Sequence, residues 1–155
     1  MAVLKTKGTE FYILDDTDTG NEVLKVGQVT SFNINDSDDP QINTTNFDST
    51  RQEFVSGLPG ELGSTIGLDF DPQNTAHVKI RDAREAGTTL RIFVASSESD
   101  TQPTFSAGFT LPTDRTTWDI PAARITSFDL DVSADDIWRG TTGIAFSAVT
   151  LTPAA

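Results

Sequence analysis

The sequence predicts a mainly β protein: an antiparallel β-sandwich or partly closed barrel with one flanking α-helix and a long inter-strand loop. Three observations carry that expectation. Apolar and polar residues alternate in successive runs, as where Ile66, Leu68 and Phe70 share one face and Thr65, Asp69 and Asp71 the other. Short polar turns separate most of the later runs. Helix start and stop signals flank a single segment, 72–86. Strands at this spacing around one helix imply a sandwich or barrel, and 155 residues suffice for one domain with one core.

Taken in order, Thr9 to Leu14 reads as a first strand, closed by the Asp-, Asn- and Gly-rich turn from Asp15 to Asn21. A longer strand follows from Glu22 to Asn35. Its alternation slips near Gly27, with Leu24 and Val26 in one phase and Val29 out of it, which a bulge would explain. The alternating run from Ser64 to Asp71 is the next strand. Asp71 then reads as the helix N-cap, Pro72 as the first helical residue and Gly87 as the stop. Ala76, Ile80 and Ala83 form a narrow apolar stripe, so the helix covers an edge or end of a sheet. Strands are expected at Thr88–Ser96, Thr104–Pro112, Thr117–Ser133 and Thr141–Leu151. Pro121 to Arg124 interrupts the third of these and suits a bend.

Between the second and third strands lies the loop from Asp36 to Gly63, about 28 residues without steady periodicity. So long a connection is uncommon in a compact domain unless it has a use. Gly57, Pro59, Gly60 and Gly63 prevent it from being one regular element, while Ile42, Phe47, Phe54, Val55 and Leu58 are too apolar for a disordered linker. The segment is expected to fold against something, and a second copy of the chain qualifies. Arg51 and Glu53 beside Phe54 read as polar partners around an apolar anchor, the composition of an interface hot spot.

Charge narrows the functional classes. Eleven Lys and Arg against 23 Asp and Glu leave −12, which disfavours nucleic-acid binding and attachment to anionic membranes. The absence of Cys excludes disulfides and thiolate metal sites. The first residues hold no apolar run of signal-peptide length and no membrane-spanning run occurs, so folding in cytoplasm is expected.

Candidate chemistry is sparse. Asp16 and Asp18 resemble the start of a calcium loop, but the twelfth position is Gly27 where a bidentate Glu belongs, so a solvated turn is the reading. Asp36, Asp38 and Asp39 read as a charged strand end that discourages edge pairing. His77, the one histidine, has no HExxH or comparable partner spacing and is expected to be exposed and idle. No nucleophile elbow or phosphate loop is present. Trp118 and Trp138 fit strand patterns and read as core or interface aromatics rather than sugar-stacking platforms. The expectation is therefore no enzyme, no cofactor and no metal.

This order of elements, with Lys7 to Tyr12, Phe47 to Pro59, Leu68 to Pro72 and Ile125 to Ser133 as its most telling stretches, resembles the major tail tube proteins of long, flexible-tailed bacteriophages from about Lys7 to Leu151. The resemblance implies a single tail-tube-like domain spanning 1–155 that forms hexameric rings, stacked into a hollow tube through which the genome passes. It implies that the 36–63 loop reaches a neighbouring subunit or ring, with Phe47, Arg51, Glu53, Phe54, Val55 and Leu58 as contact residues. Its other implied partners are the tape measure, tail terminator and distal tail proteins, and its location is the virion tail, assembled in the host bacterial cytoplasm. No exterior decoration is expected, because the extra immunoglobulin-like domain of some relatives is absent.

Acidity fits a conduit that DNA crosses without specific binding, since a negative lumen keeps the polyanion centred and hydrated. Glu22, Asp69, Asp129 and Asp131, on polar faces of expected strands, are the candidate lumen acids. Two other readings stand beside this one: the tube protein of a contractile injection or type VI secretion system, and a calcium-dependent carbohydrate-binding sandwich built on Asp16, Asp18 and the tryptophans.

Overall fold

A computed structural model describes residues 4, 7–15, 22–35, 39–58, 60–106, 108–134 and 136–155, the side chain of Glu22 excepted. Its elements are β1 (Glu10–Asp15), β2 (Glu22–Val26), β3 (Val29–Asn35), β4 (Gln41–Asn43), β5 (Phe54–Ser56), β6 (Leu62–Asp69), α1 (Thr75–Ala86), β7 (Thr89–Ala95), β8 (Thr104–Phe105), β9 (Phe109–Thr110), β10 (Thr117–Asp131), β11 (Arg139–Phe146) and β12 (Thr150–Thr152).

The main sheet is antiparallel in the order β2-β1-β7-β10-β11-β6-β3, with β12 added beside β10. β2 and β3 stand at opposite ends of this hydrogen-bonded order, yet only Gly27 and Gln28 separate them in sequence. The sheet therefore turns back on itself into two layers. One bend is at Gln28, whose φ of 61° is left-handed, and it accounts for the phase slip seen in the sequence. The other is in β10, where register with β7 breaks between Ile120 and Ala123 around Pro121. β10 thus serves both layers: its first part pairs with β7 and β12, and Arg124 to Asp131 pair with β11. Among the described residues β2 and β3 do not pair with each other, so the sandwich-like sheet is not a closed barrel.

Inward residues of both layers form one core, including Phe11, Ile13, Ile66, Leu68, Ile92, Val94, Ile120, Ile125, Ile144 and Phe146. Each fully buried side chain of this size stabilises by about 1.5–3 kcal/mol. Ala76, Ile80 and Ala83 of α1 close one side of it, as their narrow stripe predicts. The opposite face of β1 and β7 carries a second cluster of Tyr12, Leu14, Phe93 and Ala95, with Phe109 and Leu111 packed on it. Under the 97–116 segment Arg115 is fully buried, donating to the carbonyls of Ser96 and Thr101 and to the Glu10 carboxylate at 2.7, 3.0 and 3.3 Å.

Several expectations are corrected. The helix spans Thr75–Ala86 rather than 72–86: Asp71 accepts the Gln73 amide in a preceding turn, and Asn74 is the N-cap, accepting from Ala76. Gly87 ends the helix at φ 71°, as expected. The expected strand Thr104–Pro112 is the small hairpin β8–β9, and the expected strand Thr141–Leu151 is broken into β11 and β12.

Candidate functional site

The long loop contains a ribbon. β4 and β5 pair antiparallel, with Ile42 opposite Val55 and Asn43 opposite Phe54. The turn between them is organised by its own polar groups: the Thr44 amide donates to the Glu53 carbonyl (2.9 Å), the Glu53 amide to Thr45 Oγ1 (2.9 Å) and Ser49 Oγ to Glu53 Oε2 (3.2 Å). Glu53 therefore shapes the arm, a role its position beside Phe54 did not suggest. Opposed residues share a face, so Ile42 and Val55 lie on one side of the ribbon and Phe54 on the other. All three are about half exposed, Leu58 is 89% exposed, and Phe47 at the tip is 108% exposed. Arg51 is exposed and is the one cation between Asp39 and Leu58.

A second surface is the outer face of the layer formed by β10, β11, β6 and β3. Strand register aligns Asp131, Arg139 and Asp69 in one row and Asp129, Thr141, Gly67 and Ser31 in the next. Three of the four candidate acids thus share one face; Glu22 begins β2 in the other layer, and its side chain lies outside the described residues. Asp129 and Asp131 are exposed, while Asp69 pairs with Arg139 at 3.3 Å. The Arg139 guanidinium is pushed to a higher pKa by its Asp136 hydrogen bond and by the carboxylates of Asp136 and Asp69.

This face contains a repeat that reading the sequence for single motifs missed. VTSFNIN (29–35) and ITSFDLD (125–131) are near-copies, each bulged at Thr-Ser and each placing its Ser opposite a glycine, Ser31 on Gly67 and Ser127 on Gly143. A Cβ on Gly143 would stand 2.7 Å from Ser127 Oγ and Thr126 Oγ1, so glycine is what lets each bulge lie close. The four strands are accordingly related by an approximate twofold between β11 and β6. The face they build is mostly Ser, Thr, Asn and Gly, with few long side chains.

A third feature lies where the bend at Gly27 meets the end of β6. His77 is fully buried, a correction to the exposed and idle reading. Its Nδ1 accepts the Asp71 amide at 3.0 Å, which leaves Nε2 to donate to the Gly27 carbonyl at 2.7 Å, and its ring stacks on Phe70. Phe70 in turn donates its amide to the Trp138 carbonyl at 2.8 Å. Trp118 packs half-buried against the core, whereas Trp138 is 52% exposed beside Ile137. Asp16, Asp18, Asp36 and Asp38 lie outside the described residues, and among those described no group of three or more His, Asp or Glu is placed to hold a metal. Among the described residues no helix is long and apolar enough to cross a membrane.

Known proteins resemble this chain in sequence and in fold. Residues 2–154 match the family model described as phage tail tube, TTP, lambda-like. "Structural protein 3" of Pseudomonas phage PAJU2 is 29% identical over 151 residues, covering 94% of this chain and 90% of that protein. Among solved structures, the SPP1 tail tube superposes with a TM-score of 0.67 at 8% identity, covering 97% of this chain and 80% of that one. The tail of an empty GTA particle, refined with C6 symmetry, gives 0.63 at 16% identity over 99% and 100%. The sheath-tube complex of the extracellular contractile injection system PVC gives 0.64 at 15% identity over 97% and 92%.

Proposed function

The chain belongs to the lambda-like phage tail tube family, and from that premise we propose that its copies form hexameric rings that stack into the conduit for DNA ejection. It is a structural component of the phage tail, not an enzyme. The observation that carries the assembly reading is the β4–β5 arm, which holds out Ile42, Phe47, Phe54, Val55 and Leu58 with large parts of each side chain open to water. An apolar surface of that kind marks a protein contact. Phe47, Arg51, Phe54, Val55 and Leu58 make that contact to a neighbouring subunit, with Glu53 holding the arm's shape.

Ring closure has support in the pairing pattern. β3 is one edge of its four-stranded layer and the segment 125–131 of β10 is the other, with no strand beyond either among the described residues. They run antiparallel, so the edge of one copy can pair with the opposite edge of the next and keep the alternation all the way round. The Ser, Thr, Gly and Asn face of this layer, with Asp69, Asp129 and Asp131, then lines the lumen. Six copies at −12 apiece leave DNA without a counterion-releasing surface.

The tape measure, terminator and distal tail proteins are the further partners, and assembly takes place in the host bacterial cytoplasm. The family match favours a phage tail over the tube of a contractile or secretion system, although the fold likeness extends to both. Electron microscopy of the purified protein, alone and with the other tail components, tests the reading. Rings or tubes are expected; a protein that stays monomeric in both cases overturns it.

A further inference from the structure

The assembly reading leaves open what receives the arm, and one surface of the same chain fits. Phe70, Pro72, Ile137 and Trp138 line a cleft of about 400 Å³ that continues into a second one bounded by Asp69 and Asp71. Trp138 and Ile137 are about half exposed, so the apolar wall is covered on one side only.

The cleft is held rigidly by segments far apart in sequence. The Phe70 amide donates to the Trp138 carbonyl at 2.8 Å, and the Asp69 amide to the Gln28 carbonyl at 2.9 Å. Phe70 is wedged between the His77 ring and Phe128, with ring centroids 6.1 and 5.8 Å away. Such preorganisation favours binding because little order remains to be imposed.

We propose that this cleft receives Phe47 from the arm of a second copy, with Arg51 of that arm facing Asp71. The proposal rests on the arm being an assembly contact. Three observations select the occupant. Phe47 is the most exposed aromatic ring described and sits on a turn stiffened by its own hydrogen bonds. Arg51, four residues on, is the single cation of the arm, and of the two carboxylates lining the cleft Asp69 is met by Arg139 while Asp71 faces no cation among the described ion pairs. One projecting anchor and one recessed cleft on each copy make a head-to-tail contact, the kind that propagates into rings or filaments.

The absence of native cysteine makes a direct test available. In the full chain carrying Phe47→Cys and Ile137→Cys, oxidation of the polymer should give covalent multimers of three or more copies, whereas either single variant should stop at dimers. Polymer that oxidises without such multimers overturns the proposal. If the double variant does not polymerise, acrylamide quenching of Trp138 in the Trp118→Phe chain decides: strong protection in polymer relative to monomer is expected, and equal quenching overturns it. Protection without the 47–137 cross-link means that another segment fills the cleft, which also overturns it. A chain whose residues 44–52 are replaced by a short turn separates the two ideas. Normal tubes from it sink the arm contact itself, while lost tubes together with a failed cross-link sink only the receptor.

Discussion

His77 Nε2 lies 2.7 Å from the carbonyl oxygen of Gly27, 50 residues earlier in the chain. The same ring accepts the Asp71 amide, so one side chain ties the bend between β2 and β3 to the turn that leads into α1. Replacing His77 with Ala leaves two part-buried backbone groups without partners and opens a cavity beside Phe70. A loss of about 3 kcal/mol in folding stability is expected. Urea unfolding of the monomer measures it, and a change below about 1 kcal/mol would contradict the tie.

The arm should matter to the polymer and not to the monomer. Phe54→Ala removes an exposed ring from a ribbon that is stabilised by its own turn, so the melting temperature of the free subunit should not move. Losing an anchor of about 2 kcal/mol per contact should raise the concentration needed for tube formation about 30-fold. A destabilised monomer would make the arm part of the domain core instead.

Charge on the outer face of β10 should govern DNA passage. Asp129→Lys with Asp131→Lys adds cations at exposed positions, and tubes should still form while ejection slows, because phosphate contacts add friction. Asp69 is the wrong position for this experiment, since its partner Arg139 would then face a second cation. Unchanged ejection kinetics would remove these acids from the lumen.

Acid should loosen the Glu10 network. Burial works to raise the Glu10 carboxyl, but hydrogen bonds from Tyr12, Lys25 and Arg115 prevail and hold it below its ordinary 4.5. The Tyr12 hydroxyl is pushed up by burial and by the Glu10 carboxylate. A carboxyl with a folded pKa below its unfolded one stabilises above the unfolded value, and that contribution is lost as pH falls through the folded value. Stability should therefore decline as pH falls below about 4.5, and Glu10→Gln should flatten that decline. Thermal melts from pH 6 to pH 3 check this; parallel curves for the two proteins would contradict it.

Much of the fold was legible in the chain. The alternation of Ile66 and Leu68, the Gly87 stop and the phase slip at Gly27 each state a local constraint, and each appears in the structure at or beside the expected residue. The helix start is ambiguous in the sequence because Asp71-Pro72 and Asn74 are both competent caps, and only the turn closed by Asp71 decides between them. The break of Thr104–Pro112 into a hairpin is not legible in the sequence because its strands are two residues long, too short for periodicity to register. The TSF repeat was in plain view, but its meaning needs the partners, Gly67 and Gly143, that face each bulge.

A β-rich, acidic, cysteine-free chain with one helix and an apolar loop can be read from the residues alone, because period, cap chemistry, charge and composition are local or additive properties. The burial of His77, the pairing of Asp69 with Arg139 and the meeting of Phe70, Pro72, Ile137 and Trp138 in one cleft come from the folded arrangement instead. Those facts depend on which strands lie side by side. Strand order is set by long-range pairing, where a bend at two residues brings positions 50 or more apart into contact.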